Sequence, residues 1–150
     1  MRRSVAEIAG LGLCLLVALA ACNDLRDFQG EWSGSRIGDS PVLRVGVDPA
    51  AHCTLAIDGI DAHGLRGRLT IDSLVTDAPV VSAEGAEADA LASMSIAGSP
   101  IRVYLAFADA LEGPLTVLVA LYDSRRIEVR VLRGGASPVY GIFALSENAS

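Results

Sequence analysis

The sequence predicts a small all-β domain: an antiparallel meander, barrel or sandwich of about 8–10 short strands behind an N-terminal signal helix. Three observations predict it. Apolar residues recur with period two from residue 28 almost to the end of the chain, the period of a pleated strand. Turn chemistry interrupts them at spacings of roughly 10 to 14 residues. At 150 residues, the chain is short enough for a single core.

The elements follow in order. Strands are expected over Phe28 to Arg36, Pro41 to Asp48, His52 to Asp58, Leu65 to Asp72 and Ala78 to Ala83. Further strands are expected over Ala90 to Ala97, Ile101 to Ala108, Leu115 to Tyr122, Arg126 to Arg133 and Val139 to Leu145. Breakers separate them, among them Gly38-Asp39-Ser40-Pro41, Asp58-Gly59, Gly98-Ser99-Pro100, Glu112-Gly113-Pro114 and Gly134-Gly135. The alternation predicts a dry face of Ile101, Val103, Leu105 and Phe107 against a wet face of Arg102 and Tyr104. In the same way Ile127, Val129 and Val131 oppose Arg126, Glu128 and Arg130. Leu115 to Leu121 is apolar on both faces, which predicts a central strand covered by another segment, or a surface reserved for a partner. Glu84 to Ser95 is Ala-rich, so a helix lying on the barrel competes with a strand there. A membrane-spanning barrel is not expected: the strands fall short of about 9–11 residues, and seven aromatics cannot build two girdles.

The amino terminus carries the clearest functional signal. Arg2 and Arg3 precede an apolar stretch from Ile8 to Ala20, the layout of a secretory signal, and Leu19-Ala20-Ala21-Cys22 follows. These four residues resemble the lipobox of bacterial lipoprotein precursors. The resemblance implies cleavage between Ala21 and Cys22, acylation of Cys22, and two or three chains that hold the domain to a membrane. It divides the chain into a signal peptide (1–21), a tether (22–27), one β-domain (28–146) and a polar tail (147–150). With Asn23 after the Cys and Asp24 one later, the class implies an outer-membrane rather than an inner-membrane destination, with the domain in the periplasm or at the surface.

Removing residues 1–21 takes away Arg2, Arg3 and Glu7, leaving 10 Arg and no Lys against 17 acidic residues. A chain so short of cations is not expected to bind nucleic acid or adsorb electrostatically to anionic lipid. Cys14 leaves with the signal and Cys22 is acylated, so Cys53 has no partner for a disulfide. Its alternation with Leu55 and Ile57 predicts a small buried hydrophobe.

The segment Gly30-Glu31-Trp32 looks like the Gly-x-Trp opening of lipocalins and related small barrels. Trp32 is expected to plug one end of the core. In that family an Arg from a late strand packs over the Trp, a place that Arg126, Arg130 or Arg133 could fill, although the family's Thr-Asp-Tyr motif is missing. The resemblance implies a small hydrophobic ligand, with Trp32 and Arg130 as candidate binding residues.

Other chemistry is thin. His52 and His63 are the only histidines, and Asp58, Asp61 and His63 share one loop. Their spacing matches neither a zinc site nor a calcium loop, so no metal and no cofactor are expected. Glu84 and Glu87 occur in loop-like sequence without the burial that general-acid work needs, and no Gly-x-Ser-x-Gly context exists. The sequence therefore predicts a non-enzymatic, membrane-anchored envelope lipoprotein that binds an envelope protein partner. A carrier of a small apolar ligand, or an enzyme using His52 or His63, are the alternatives.

Overall fold

The structure, a computed structural model, describes residues 24–38, 45–95 and 98–148. Eight strands form a closed antiparallel barrel in simple sequence order. They are β1 (Gly30–Ile37), β2 (His52–Ile60), β3 (Leu65–Ile71) and β4 (Val75–Ser82), then β5 (Arg102–Ala110), β6 (Gly113–Tyr122), β7 (Arg126–Arg133) and β8 (Val139–Glu147). Closure joins the first strand to the last, from Trp32 beside Glu147 to Ile37 beside Ile142. The barrel alternative of the expected fold class is the one adopted. The expected signal peptide, with Ala21 and Cys22, lies outside the described residues.

One expected strand is replaced, and another is described only in part. Ala90 to Ala97 is not a strand: α1 (Ala86–Ser95) takes its place. Alanine is the strongest helix former, and Glu87 and Asp89 in the first turn complement the helix dipole. Of Pro41 to Asp48, residues 41–44 lie outside the described residues and Val45 makes a single bridge to Tyr140. Phe28, expected to begin β1, instead ends a 3₁₀ helix (Leu25–Phe28) capped by the Asp24 side chain. Asp24 to Asp27, read as tether, therefore belong to the folded end.

The interior is filled by apolar side chains. Trp32, Leu55, Leu69, Val117, Val129 and Phe143 have no accessible surface, which leaves no water-sized void beside them. Each such side chain contributes roughly 1.5–3 kcal/mol relative to exposure. Glycine admits the close strand crossings: a Cβ on Gly34 would fall on the Ala144 carbonyl oxygen, and one on Gly67 on that of Ala56. The outer wall carries Arg66, Arg68, Arg126 and Glu128, an apolar-in, charged-out arrangement opposite to that of a membrane-spanning barrel. No described helix is long and apolar enough to cross a membrane.

β5 corrects the expected facing. Tyr104, Ala106 and Ala108 point into the core, while Val103 and Leu105 pack outward in a second cluster with Leu118, Ala120 and Ala92. The alternation was real, but its apolar side is the outer one, because α1 covers that side. The same helix accounts for the two-faced apolarity of β6: Leu115, Val117, Val119 and Leu121 point in, and Leu118 and Ala120 lie under α1. On β7 the expected facing stands, with Ile127, Val129 and Val131 buried.

One joint in the wall is slight. β4 and β5 are in register only at Val81 with Phe107 and Ser82 with Ala106, continued by Ala83 N–H to Leu105 O at 2.8 Å. By contrast β5 and β6 pair from Arg102 with Leu121 to Ala110 with Gly113. Beyond the joint, Asp77 has φ 45° and Pro79 lacks an amide proton. The strands meet again where Leu111 N–H reaches Leu74 O at 3.3 Å.

Candidate functional site

The barrel has two unlike ends. At one, the 3₁₀ helix closes the core: Trp32 Nε1 donates to Phe28 O at 2.9 Å, and the two rings stack with centroids 5.6 Å apart. Trp32 thus plugs an end, as expected. The arginine that reaches this plug is Arg125, in the β6–β7 turn. It donates to Asp27 O at 3.2 Å and pairs with Glu147 at 2.7 Å. The three arginines expected near Trp32 lie elsewhere. Arg126 stacks on Tyr122 at 4.4 Å, Arg130 pairs with Glu128 on the outer wall, and Arg133 donates to Gly113 O and Ser137 O at the far rim. Trp32 is fully buried within the core, and Arg130 lies on the outer wall.

The histidines do not meet. His52 begins β2 and His63 follows its other end, separated by a strand of nine residues, about 26 Å at 3.3 Å per residue. His52 N–H bonds to Asp72 Oδ2. Asp61 accepts the backbone N–H groups of His63 and Gly64 at 2.7 and 2.9 Å, which hold its carboxyl below the ordinary range. That is the chemistry of a tight turn. Asp58 lies exposed on β2 and offers its carbonyl oxygen to Gln29. Among the described residues no three of His, Cys, Asp and Glu gather as metal ligands do. Cys53 is buried, and desolvation, aided by the negative charge of Asp72, pushes its thiol up to about 12.

Around the turn at Asp61 the packing is tight. Tyr104 donates its hydroxyl proton to Asp61 O at 2.6 Å, and Arg102 Nη2 bonds both Ala62 O and Asp89 Oδ1. Burial raises the Tyr104 hydroxyl to about 12. A shallow cleft of about 250 Å³ beside this turn is lined by His63, Arg66, Ser82 and Glu84 among others. The Ser82 oxygen there accepts from Leu65 N–H at 2.8 Å, which ties the start of β3 to the end of β4.

At the far rim a hollow of about 380 Å³ is lined by Leu74, Leu111, Glu112 and Arg133 among others, and the outer wall offers a further surface. Reading the strand registers sideways, Arg66 lies beside Val81, Val81 beside Phe107, Phe107 beside Thr116, Thr116 beside Leu132, and Leu132 beside Tyr140. From Val81 onward this is a largely apolar row across five strands, with Thr116 at its middle, roughly 19 Å at 4.8 Å per strand. Val81 is 62% exposed, Phe107 51% and Leu132 37%. The row climbs obliquely, because strands in a closed barrel are tilted. Val81 sits at the end of β4 nearest the 3₁₀ helix, Tyr140 at the opposite rim. Helix α1 covers Val103, Leu105, Leu118 and Ala120 and leaves the row open. The sequence held a signal for this surface in the alternation of Val103, Leu105 and Phe107, assigned to the wrong side of the wall. No protein family, curated protein or solved structure matches the chain.

Proposed function

We propose that the chain is a lipid-anchored envelope protein whose barrel recognises a protein partner and performs no reaction of its own. The observation that carries this reading is the apolar row from Val81 to Tyr140, laid on the outside of a barrel whose interior is already full. Exposed apolar surface on a soluble wall favours association, since covering it releases ordered water. A carrier of small ligands would need a hollow of about 300 Å³ or more; side chains fill the mid-barrel, and the hollow of about 380 Å³ at the far rim, beside Leu74, Leu111 and Arg133, is the feature that supports that second reading. An enzyme would need His52 or His63 joined to a nucleophile or a metal; the two stand at opposite ends of β2, with their backbone amides bonded to Asp72 and Asp61.

The anchor rests on Leu19-Ala20-Ala21-Cys22. Mass spectrometry of the native protein tests it: a mass of residues 22–150 carrying two or three acyl chains is expected, and an unmodified Cys22 overturns it. Affinity recovery from detergent-solubilised envelopes tests the partner. A consistent protein should accompany the native chain and be lost from a Val81→Ser, Phe107→Ser double variant. Equal recovery with both would overturn recognition through the row.

A further inference from the structure

The first described residue, Asp24, caps the 3₁₀ helix, and that helix is fastened to the barrel end by Trp32, Arg125 and Gln29. Cys22 lies two residues before it, and two residues span at most about 7 Å. If Cys22 is acylated, as proposed above, its thioether sits at headgroup depth and this end of the barrel cannot leave the bilayer surface. Strands of 7–10 residues tilted in a closed barrel give a height of roughly 18–25 Å, so the rim at Ser137 stands that much farther out.

We propose that the barrel stands end-on on its membrane, the 3₁₀ helix lowermost, and offers the apolar row sideways to a protein held in the same membrane. This inference rests on the acylation of Cys22. The row rises from Val81, close to the bilayer, to Tyr140 at the outer rim, so an occupant that covers it stands beside the barrel for its full height. Its exposed apolar area is on the order of a few hundred Å². That is less than the ~800 Å² per partner of a stable complex formed from solution. Two proteins confined to one membrane meet at a high effective concentration, and a contact of this size then suffices. A second copy of this chain is the poorer fit, because 10 Arg against 17 acidic residues leave residues 22–150 with a net charge of −7, which repels its like. Arg66, exposed on β3 beside Val81 with its guanidinium over Gly59, sets a cation one strand from the lower end of the row, where the occupant presents a carboxylate.

Two measurements on the full lipidated chain test the posture and the occupant. Single fluorophores on Ser124→Cys, in the lower turn, and Ser137→Cys, at the rim, are compared in phosphatidylethanolamine and phosphatidylglycerol vesicles carrying headgroup-quenching lipid. Buried Cys53 does not compete for the label. Several-fold stronger quenching at position 124 is expected, and equal or reversed quenching overturns the posture. In cells, a photo-crosslinking side chain at Phe107 should capture one membrane-held protein, while the same group at Thr54, on the opposite wall, should not. Capture of a second copy, of lipid or of nothing overturns the assigned occupant. Mass spectrometry of the same samples separates the cases: with Cys22 acylated, a negative result counts against this inference alone, whereas a free thiol counts against the anchor.

Discussion

Trp32 and Phe28 hold one another in two ways, through the indole N–H to Phe28 O bond of 2.9 Å and through rings stacked at 5.6 Å. The pair converts four residues of 3₁₀ helix, too short to persist alone, into a lid over the core. Trp32→Phe keeps most of the apolar volume but leaves a buried carbonyl oxygen unpaired. It should cost about 2 kcal/mol, read as a lower urea midpoint by circular dichroism. Trp32→Ala should cost about 3–5 kcal/mol.

Arg125 clamps the same lid from outside, bonded to Asp27 O and paired with Glu147, and about half exposed. Arg125→Ala should therefore cost only about 1 kcal/mol in global stability. Hydrogen exchange should rise selectively at residues 25–28, while Arg126→Ala should leave those amides unchanged.

Cys53 links stability to alkaline pH. Its thiol is raised from the ordinary value of 9.0 to about 12 by burial, so between those values the folded state binds a proton that the unfolded chain has lost. The stabilisation is complete below pH 9 and disappears as pH rises toward 12. Tyr104, raised to about 12, adds to the same decline. The urea midpoint should fall steadily above pH 9, and Cys53→Ala should make the fall shallower. Below pH 9 a thiol reagent should modify the native protein only at the rate of unfolding.

Gly34 faces the Ala144 carbonyl across the β1–β8 closure. Gly34→Ala forces the first and last strands apart and should cost about 3 kcal/mol or more. Ser35→Ala, one residue on and exposed, should stay within about 0.5 kcal/mol by thermal unfolding.

Period-two patterning made most of the barrel legible, and Arg126–Arg133 was bounded to the residue because both of its ends are turns and its faces differ sharply. The pattern carries no sign, however. On β5 it could not say whether Val103, Leu105 and Phe107 or Tyr104, Ala106 and Ala108 faced the core. Helix α1 decides it, since a covered outer wall can be apolar while a crowded interior takes alanine. The plug at Trp32 was readable from Gly30-Glu31-Trp32, but its arginine was not. Arg125 sits at φ 51° in a turn, and only the folded turn brings it to Asp27. The apolar row was hidden for a similar reason: its members lie far apart in sequence and become neighbours through strand registers.

The slight joint between β4 and β5 has one more consequence. A ring deforms first where it is weakest, so breathing of the cylinder concentrates where β4 and β5 part, next to the pair formed by Val81 and Phe107. Those same two side chains begin the outward strip. Whatever settles on it acts as a splint across the crack, and a bound molecule would be stiffer than a free one without any rearrangement of its shape.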